Sequence, residues 1–160
     1  MLKNKKKKVY VSLSADILHE GHINILKFAK GLGDVIVGLL TDDAIASYKS
    51  FPILNYKQRE IILENIKLVK KIIPQTTLDH RPNLKLVMPD FVVHGDDWKK
   101  GVQKKTRSQV ISILRRWGGK LIEPKYTKNI SSTYFKSKIT NHTPLNSKVL
   151  LLRRKLNNKN

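Results

Sequence analysis

The chain has no cysteine, which removes disulfides and thiolate chemistry from consideration. No apolar run reaches the length that spans a bilayer. The N-terminal lysines lead into a short apolar stretch that soon meets Asp16, His19 and Glu20, which is not the pattern of a signal peptide. The cytoplasm is the expected compartment. Acidic residues are scarce: 12 Asp and Glu stand against 32 Lys and Arg, a net charge of +20 over 160 residues. Such a surplus invites a nucleic-acid reading, but its distribution weakens it. Lys3 and Lys5 to Lys8 carry five charges, and Lys148, Arg153, Arg154, Lys155 and Lys159 carry five more. Half of the surplus thus sits in two polar ends. Nucleic acid is not the expected partner, and the remaining cations suit an anionic substrate.

The most informative residues are His19-Glu20-Gly21-His22. A strand-like run, Val9 to Ser14, precedes them, and a helix-like run, Ile23 to Lys30, follows. In a parallel α/β sheet, ligands bind outside the carboxyl ends of the strands. The helix that follows offers free N–H groups and a positive dipole end to phosphate. Histidines at i and i+3 share one face of a first turn, and Gly21 omits a Cβ that would hold a phosphate away. A polar surface patch or a plain helix cap is the blander account. Imidazole also suits zinc, but zinc takes three or four protein ligands. No third partner stands nearby, so no metal is expected to be ligated directly by the protein. The order of strand, turn and helix favours a phosphate grip.

Apolar runs and helical patterns alternate along the chain. Strands are expected at Val9–Ser14, Asp34–Leu40, Val69–Ile73, Phe91–His94 and Lys120–Glu123. Helices are expected at Ile23–Lys30, Tyr56–Lys67 and Val102–Trp117, with a shorter one near Asn83–Val87. Gly31-Leu32-Gly33 and Trp117-Gly118-Gly119 read as helix stops. Val/Ile-rich strands with little alternation imply burial on both faces, hence a parallel sheet covered by helices. The expected organisation is a basic tail over 1–8, one doubly wound α/β domain over 9–140, and a basic tail or linker over 141–160.

Three further segments carry chemistry. Thr41-Asp42-Asp43 closes the second strand and can cap a short helix; Lys49 follows in a loop at the same sheet edge as the histidines. Arg59, in an otherwise apolar helical pattern, is either a structural ion pair or a phosphate ligand. His94-Gly95-Asp96-Asp97-Trp98 ends the fourth strand, with carboxylates that can recognise a base and an aromatic ring that either stacks or anchors the core. Tyr126 to Thr133 follows the fifth strand and opens a helix with hydroxyls and amides suited to phosphates. Within it, Asn129 tolerates a left-handed conformation better than most residues.

With these segments in order, the chain resembles the cytidylyltransferase branch of the HxGH nucleotidyltransferase superfamily, whose members act on glycerol 3-phosphate, phosphocholine or phosphoethanolamine. The resemblance covers about Val9 to Ile139. It rests on Ser14-Ala15-Asp16-Ile17-Leu18-His19-Glu20-Gly21-His22, Lys49 before Asn55-Tyr56-Lys57-Gln58-Arg59, Gly95-Asp96-Asp97-Trp98, and Ile130-Ser131-Ser132-Thr133. The phrases Gly38 to Asp42, Ala44 to Lys49, Arg81-Pro82-Asn83-Leu84 and Val93 to Trp98 further resemble the cytidylyltransferase domain attached to phosphoenolpyruvate phosphomutases in phosphonate biosynthesis. Thr143-Pro144 followed by Leu151 to Leu156 resembles the joint leading into the mutase domain. A phosphomutase domain or partner is therefore an expected associate.

The resemblance implies a Rossmann-like, five-stranded parallel sheet and transfer of CMP from CTP to a small phosphonate or phosphate monoester. The expected acceptor is 2-aminoethylphosphonate, and Mg²⁺ is carried mainly on the CTP phosphates. His19, His22 and Lys49 would be catalytic. Ser14, Ala15, Gly21, Gly95, Asp96, Asp97, Tyr126, Thr127, Ile130, Ser131 and Ser132 would join the histidines in binding nucleotide. Lys49, Arg81, Asp16 and Arg59 would bind the acceptor. A homodimer is implied as well. The chain departs from many relatives at Leu13 and Ala15, where they carry Gly and Phe, and at Lys128 and Asn129, where they carry an acidic residue and Gly. Tyr126 stands where Arg is common. Two other readings suit the same residues: an ATP-using adenylyltransferase on the same fold, and a basic nucleic-acid module with a vestigial nucleotide pocket.

Overall fold

Strand side chains alternate between two faces, and here each parity is apolar. The odd-numbered residues Val9, Val11, Leu13, Val35, Val37 and Leu39 pack with Leu26, Ala29 and Leu63. The even-numbered Tyr10, Ile36 and Val92 pack on the other side with Leu84, Val87, Trp98, Val110, Ile113 and Leu114. A sheet with two apolar faces needs helices on both, and the chain supplies them.

The computed structural model describes residues 6–125 and 127–139. Tyr126, residues 1–5, the 141–160 tail and the mutase-joint resemblance lie outside the described residues. The elements run β1 (Lys8–Leu13), α1 (Glu20–Leu32), β2 (Asp34–Leu40), α2 (Asp42–Ala46), α3 (Tyr56–Glu64), β3 (Val69–Gln75), α4 (Arg81–Val87), β4 (Phe91–Val93), α5 (Lys104–Leu114) and β5 (Lys120–Ile122). A further helix, α6, covers 132–139. All pairings are parallel, in the order β3-β2-β1-β4-β5. Lys8 to Leu13 lie beside Asp34 to Leu39, and Val9 and Tyr10 lie beside Phe91 and Val92. The chain therefore turns from one half of the sheet to the other between β1 and β4, and a crevice opens at their carboxyl ends. Among the described residues no helix is long and apolar enough to cross a membrane.

Boundaries shift for local reasons. The tail expected over 1–8 ends earlier, because Lys8 already pairs in β1 and Lys7 forms an ion pair with Asp90 at 3.0 Å. Helix α1 begins at Glu20 rather than Ile23 because the side chain of His19 caps it. The β3 strand continues through Pro74 to Gln75; as the sheet's edge strand it tolerates a residue without an N–H. The Val102–Trp117 expectation divides into a 3₁₀ turn, α5 and a second 3₁₀ turn. Tyr56–Lys67 ends at Glu64, where Asn65 caps the helix and donates to the Ile61 carbonyl at 2.8 Å. At Gly38 in β2 a Cβ would fall 1.7 Å from the Tyr10 hydroxyl, which donates to Gln75 Oε1. No larger residue fits there.

The carboxyl ends of β1 and β2 are tied by one side chain. Arg59 of α3 is fully buried. Its Nη1 donates to the Ser14 and Leu40 carbonyls at 2.6 and 2.8 Å, its Nε to the Leu54 carbonyl at 3.0 Å, and its Nη2 to Asp42 at 2.6 Å. Replacing Arg59 with Met would strand several buried acceptors, at about 3 kcal/mol or more of stability. Arg59→Lys should recover only part of this, since an ammonium cannot reproduce the fork. Urea unfolding checks it; a loss below about 1 kcal/mol for Arg59→Met would contradict this role.

Candidate active site

The crevice holds a cavity of about 340 Å³, within the usual range for small-molecule sites. One wall is the start of α1. His19 caps that helix with extended backbone. Its Nδ1 accepts from the Gly21 N–H at 3.2 Å, and the Nδ1 of His22 accepts from the His19 N–H at 3.3 Å. A backbone amide can only donate, so each Nδ1 holds a lone pair and each neutral ring carries its proton on Nε2. The rings lie 3.9 Å apart, tilted by 38°. Burial, reinforced by charge on His19 and Lys49, pushes His22 down to about 3. Burial also lowers His19, against the opposing pull of Glu20. Two neutral N–H donors thus stand side by side. Gly21 serves the same cap: a Cβ there would lie 3.0 Å from the His19 ring.

Ser14 follows β1, and its hydroxyl accepts from Lys49 Nζ at 3.2 Å. Burial lowers the proton affinity of Lys49, and the charges on Lys136 and Arg59 add to the effect while Asp16 opposes it. Between Ser14 and His19 the chain turns through Ala15 at φ +50°. A non-glycine residue in the left-handed region stores strain of about 1 kcal/mol. The turn is held by Asp16, whose Oδ1 accepts from the Ile53 and Leu54 amides at 2.7 and 3.0 Å, while Lys136 sits 2.5 Å from Oδ2. Burial alone would raise this carboxyl; Lys136 and the two amides outweigh it and hold it below its ordinary value.

The opposite wall presents acceptors. His94 stacks flat on the buried Trp98, 3.8 Å apart and 5° from parallel. Its Nδ1 lies 2.8 Å from the Gly95 carbonyl, so this nitrogen carries the proton and Nε2 keeps the lone pair. Asp97 stands beside it, 3.7 Å from Nδ1. Trp98 donates to Glu123 at 2.7 Å, so it anchors the core and is not open to stack on a ligand. A third side of the cavity comes from Thr127, Ser131, Ser132 and Thr133. Ser131 caps α6 by accepting from the Tyr134 N–H at 3.0 Å, and Asn129 turns the chain at φ +63°.

The cavity gathers Ser14, His19, Gly21, His22, Lys49, Gly95, Asp97, Thr127, Ser131 and Ser132 from the sequence expectation. Other residues stand elsewhere. Arg59 and Asp16 are spent on the protein contacts given above. Arg81 is forked onto Asp79, with Nε and Nη2 at 2.9 and 2.7 Å from its carboxylate oxygens. It is therefore a helix-start ion pair rather than part of the cavity wall. Ala15 packs into the core, and Asp96 and Ile130 do not line the cavity. The sequence reading passed over His80, which lines the cavity with a buried Nδ1 lacking a hydrogen-bond partner among the described residues. Its signal was positional: it follows the carboxyl end of β3 as His94 follows that of β4.

A family model described as cytidylyltransferase-like matches residues 14–138. A glycerol-3-phosphate cytidylyltransferase of Bacillus spizizenii is 38% identical over 95 residues, covering 58% of this chain and 74% of its own. An ethanolamine-phosphate cytidylyltransferase of Mus musculus is 32% identical over 123 residues, or 74% of this chain; the chain spans only 29% of that protein. In three dimensions, a lipopolysaccharide core biosynthesis protein from Thermoplasma volcanium superposes with a TM-score of 0.64 at 25% identity, over 78% of this chain and 99% of its own.

Burial likewise pushes His80 down to about 3, whereas an unfolded histidine titrates near 6.5. As pH falls below about 6.5, the unfolded chain takes up protons that His22 and His80 refuse in the folded state. Stability should therefore fall toward acid, by up to about 1.4 kcal/mol per pH unit for each histidine. Urea midpoints between pH 7 and 4 test this. His80→Asn should flatten the slope by about one histidine's share, and an unchanged slope would contradict it.

Proposed function

The chain belongs to the cytidylyltransferase-like family, and from that premise we propose that it moves CMP from CTP to a phosphoryl oxygen of a small acceptor. An acceptor oxygen attacks the α-phosphorus, the bond to the β-phosphate breaks, and pyrophosphate leaves. The observation that carries this reading is the double-histidine cap, whose Nδ1 atoms are both occupied by backbone amides. The Nε2–H groups of His19 and His22 donate to the α-phosphoryl oxygens as negative charge builds in the pentavalent transition state. Such fixed donors need no rearrangement at the moment of reaction. Lys49 holds acceptor and α-phosphate together against their mutual repulsion. Thr127, Ser131 and Ser132 take the outer phosphates, and Asp97 with the lone pair of His94 accepts from the amino group of cytosine.

For the metal we propose Mg²⁺ carried on the triphosphate, beside the hydroxyls of Thr127, Ser131 and Ser132 that line the cavity. When bound, it neutralises phosphate charge. For the acceptor we infer 2-aminoethylphosphonate, supported by the phosphonate-type phrases from Gly38 to Asp42 and Val93 to Trp98. A second reading, glycerol 3-phosphate or ethanolamine phosphate, is favoured by the names of the relatives and suits the same charges equally well.

Incubation with Mg²⁺, CTP and a panel of these acceptors, with pyrophosphate release as the readout, separates the readings. Release with 2-aminoethylphosphonate is expected. Release only with glycerol 3-phosphate or ethanolamine phosphate would overturn the acceptor and leave the reaction class intact. Release with ATP but not CTP would overturn the nucleotide. His22→Ala should lower kcat about 10²–10³-fold while CTP affinity changes far less. Unchanged turnover would move the chemistry elsewhere.

A further inference from the structure

Among the described residues, three buried side-chain atoms lack a hydrogen-bond partner: Asp16 Oδ2, the Tyr56 hydroxyl and His80 Nδ1. Asp16 faces Lys136 as an ion pair, and neither it nor Tyr56 lines the cavity. His80 does, with only 5% of its surface exposed. Its ring is held between two aromatic neighbours, with centroids 6.3 Å from Tyr10 and 5.9 Å from Trp98.

The polar groups around it are spent on one another. The Tyr10 hydroxyl donates to Gln75 Oε1 and accepts from Asn83 Nδ2 at 3.1 Å. Asn83 Nδ2 also donates to the Pro74 carbonyl at 3.0 Å, and Gln75 Nε2 to the Thr77 carbonyl at 3.2 Å. Asp79, the preceding residue, is forked by Arg81. An apolar side chain would fill the place of His80 without leaving a polar atom unpaired. A buried imidazole nitrogen without a partner is costly unless something from outside the chain completes it.

Its place in the fold says what that is. Leu40 ends β2, Tyr48 and Lys49 follow α2, and Leu78 and His80 follow β3. The sheet order sets β2 and β3 on one side of β1 and β4 on the other. In the transfer proposed above, the base goes to Asp97 and His94 after β4, and Lys49 takes the acceptor's phosphoryl group. The rest of the acceptor then lies toward Tyr48, Leu78 and His80. Leu40 and Leu78 suit a short carbon chain, and the imidazole suits a polar group at its end. Burial pushes His80 down to about 3, so beside an ammonium the ring keeps its lone pair and adds no like charge.

We infer that His80 sets acceptor specificity: its imidazole lone pair accepts a hydrogen bond from an amine or hydroxyl at the end of the acceptor remote from phosphorus. The inference rests on the cytidylyl-transfer reading for the identity of the ligand. The amines of 2-aminoethylphosphonate and ethanolamine phosphate and the hydroxyls of glycerol 3-phosphate share this chemistry.

The test sets each acceptor against a partner that carries methyl in place of each amine or hydroxyl. The pairs are 2-aminoethylphosphonate with propylphosphonate, ethanolamine phosphate with propyl phosphate, and glycerol 3-phosphate with 2-methylbutyl phosphate. With the full chain, Mg²⁺ and CTP, kcat/KM from pyrophosphate release should favour the donor-bearing member of at least one pair about tenfold or more. His80→Leu should bring that ratio close to unity, and His80→Asn, whose carbonyl also accepts, should restore part of it. A purely structural role lowers both members alike and leaves the ratio where it was. A wild-type ratio near unity in every pair overturns the inference. So does a folded His80→Leu chain that keeps the wild-type ratio, including one in which only the KM for CTP moves, which would assign His80 to the nucleotide. Should His80→Leu not fold, His80→Asn decides by the same ratio, which must fall below the wild-type value. If no acceptor releases pyrophosphate from CTP, calorimetry with the same pairs decides. A binding preference for the donor-bearing member that His80→Leu abolishes upholds His80 and sinks the transferase reading, whereas equal binding within every pair sinks the inference.

Discussion

The buried guanidinium of Arg59 is the constraint on which the site depends. It gathers the Ser14, Leu40 and Leu54 carbonyls and the Asp42 carboxylate around one planar fork. Ser14 lies just past β1, Leu40 ends β2 and Leu54 precedes α3, and without the buried donor their carbonyls would need water. Held by Arg59, Ser14 is fixed in place, and its hydroxyl meets Lys49. The chain can then turn through the strained conformation of Ala15 and reach His19 at the angle that lets it cap α1. Strain in that turn is tolerable because Asp16 and Arg59 over-determine it from both sides. An arginine with no direct place in the cavity thereby sets the position of the groups that line it.

The electrostatics of the cavity differ from those of the whole chain. The chain carries a surplus of +20, yet burial disfavours the charged form of both imidazoles at the centre, with Lys49 adding to the effect at His22 and Glu20 opposing it at His19. A neutral donor has an advantage here. In the proposed transfer it would stabilise charge that appears only in the transition state, while binding ground-state phosphate less tightly than a second ammonium would. In the transfer proposed above, Lys49 would supply attraction and the histidines selectivity for the reacting state.

The sequence makes the sheet legible because its signals are local. Apolar residues at both parities announce a doubly covered strand, and a histidine pair between strand and helix announces a capped helix start. Asn129 was readable as a left-handed turn residue for the same reason. Long side chains were not readable in this way. Arg59 carries a charge suited to an anionic acceptor and Asp16 one suited to an ammonium, but their partners come from far along the chain: Ser14 lies 45 residues from Arg59, and Lys136 lies 120 residues from Asp16, whereas Arg81 is taken by Asp79 only two residues away. Composition and spacing cannot say whether such a charge will be consumed by the fold. Pro74 hid the end of β3 because its effect depends on whether the strand is an edge. His80 was passed over because a lone histidine gains meaning only from the strand end it follows.

Lys49 lines a second cavity as well as the first, and this bears on how two polyanions could be brought together. Two phosphoryl groups approaching one another repel strongly where water is partly excluded. A single ammonium cannot offset that repulsion and also discriminate between its two sides. In this chain the cations are staged: Lys49 at the junction, and Lys136 one step outward. The histidines on the inner side are uncharged. Helix α6 contributes Ser132 and Thr133 to both cavities and places Lys136 one helical turn beyond Ser132, where it pairs with Asp16.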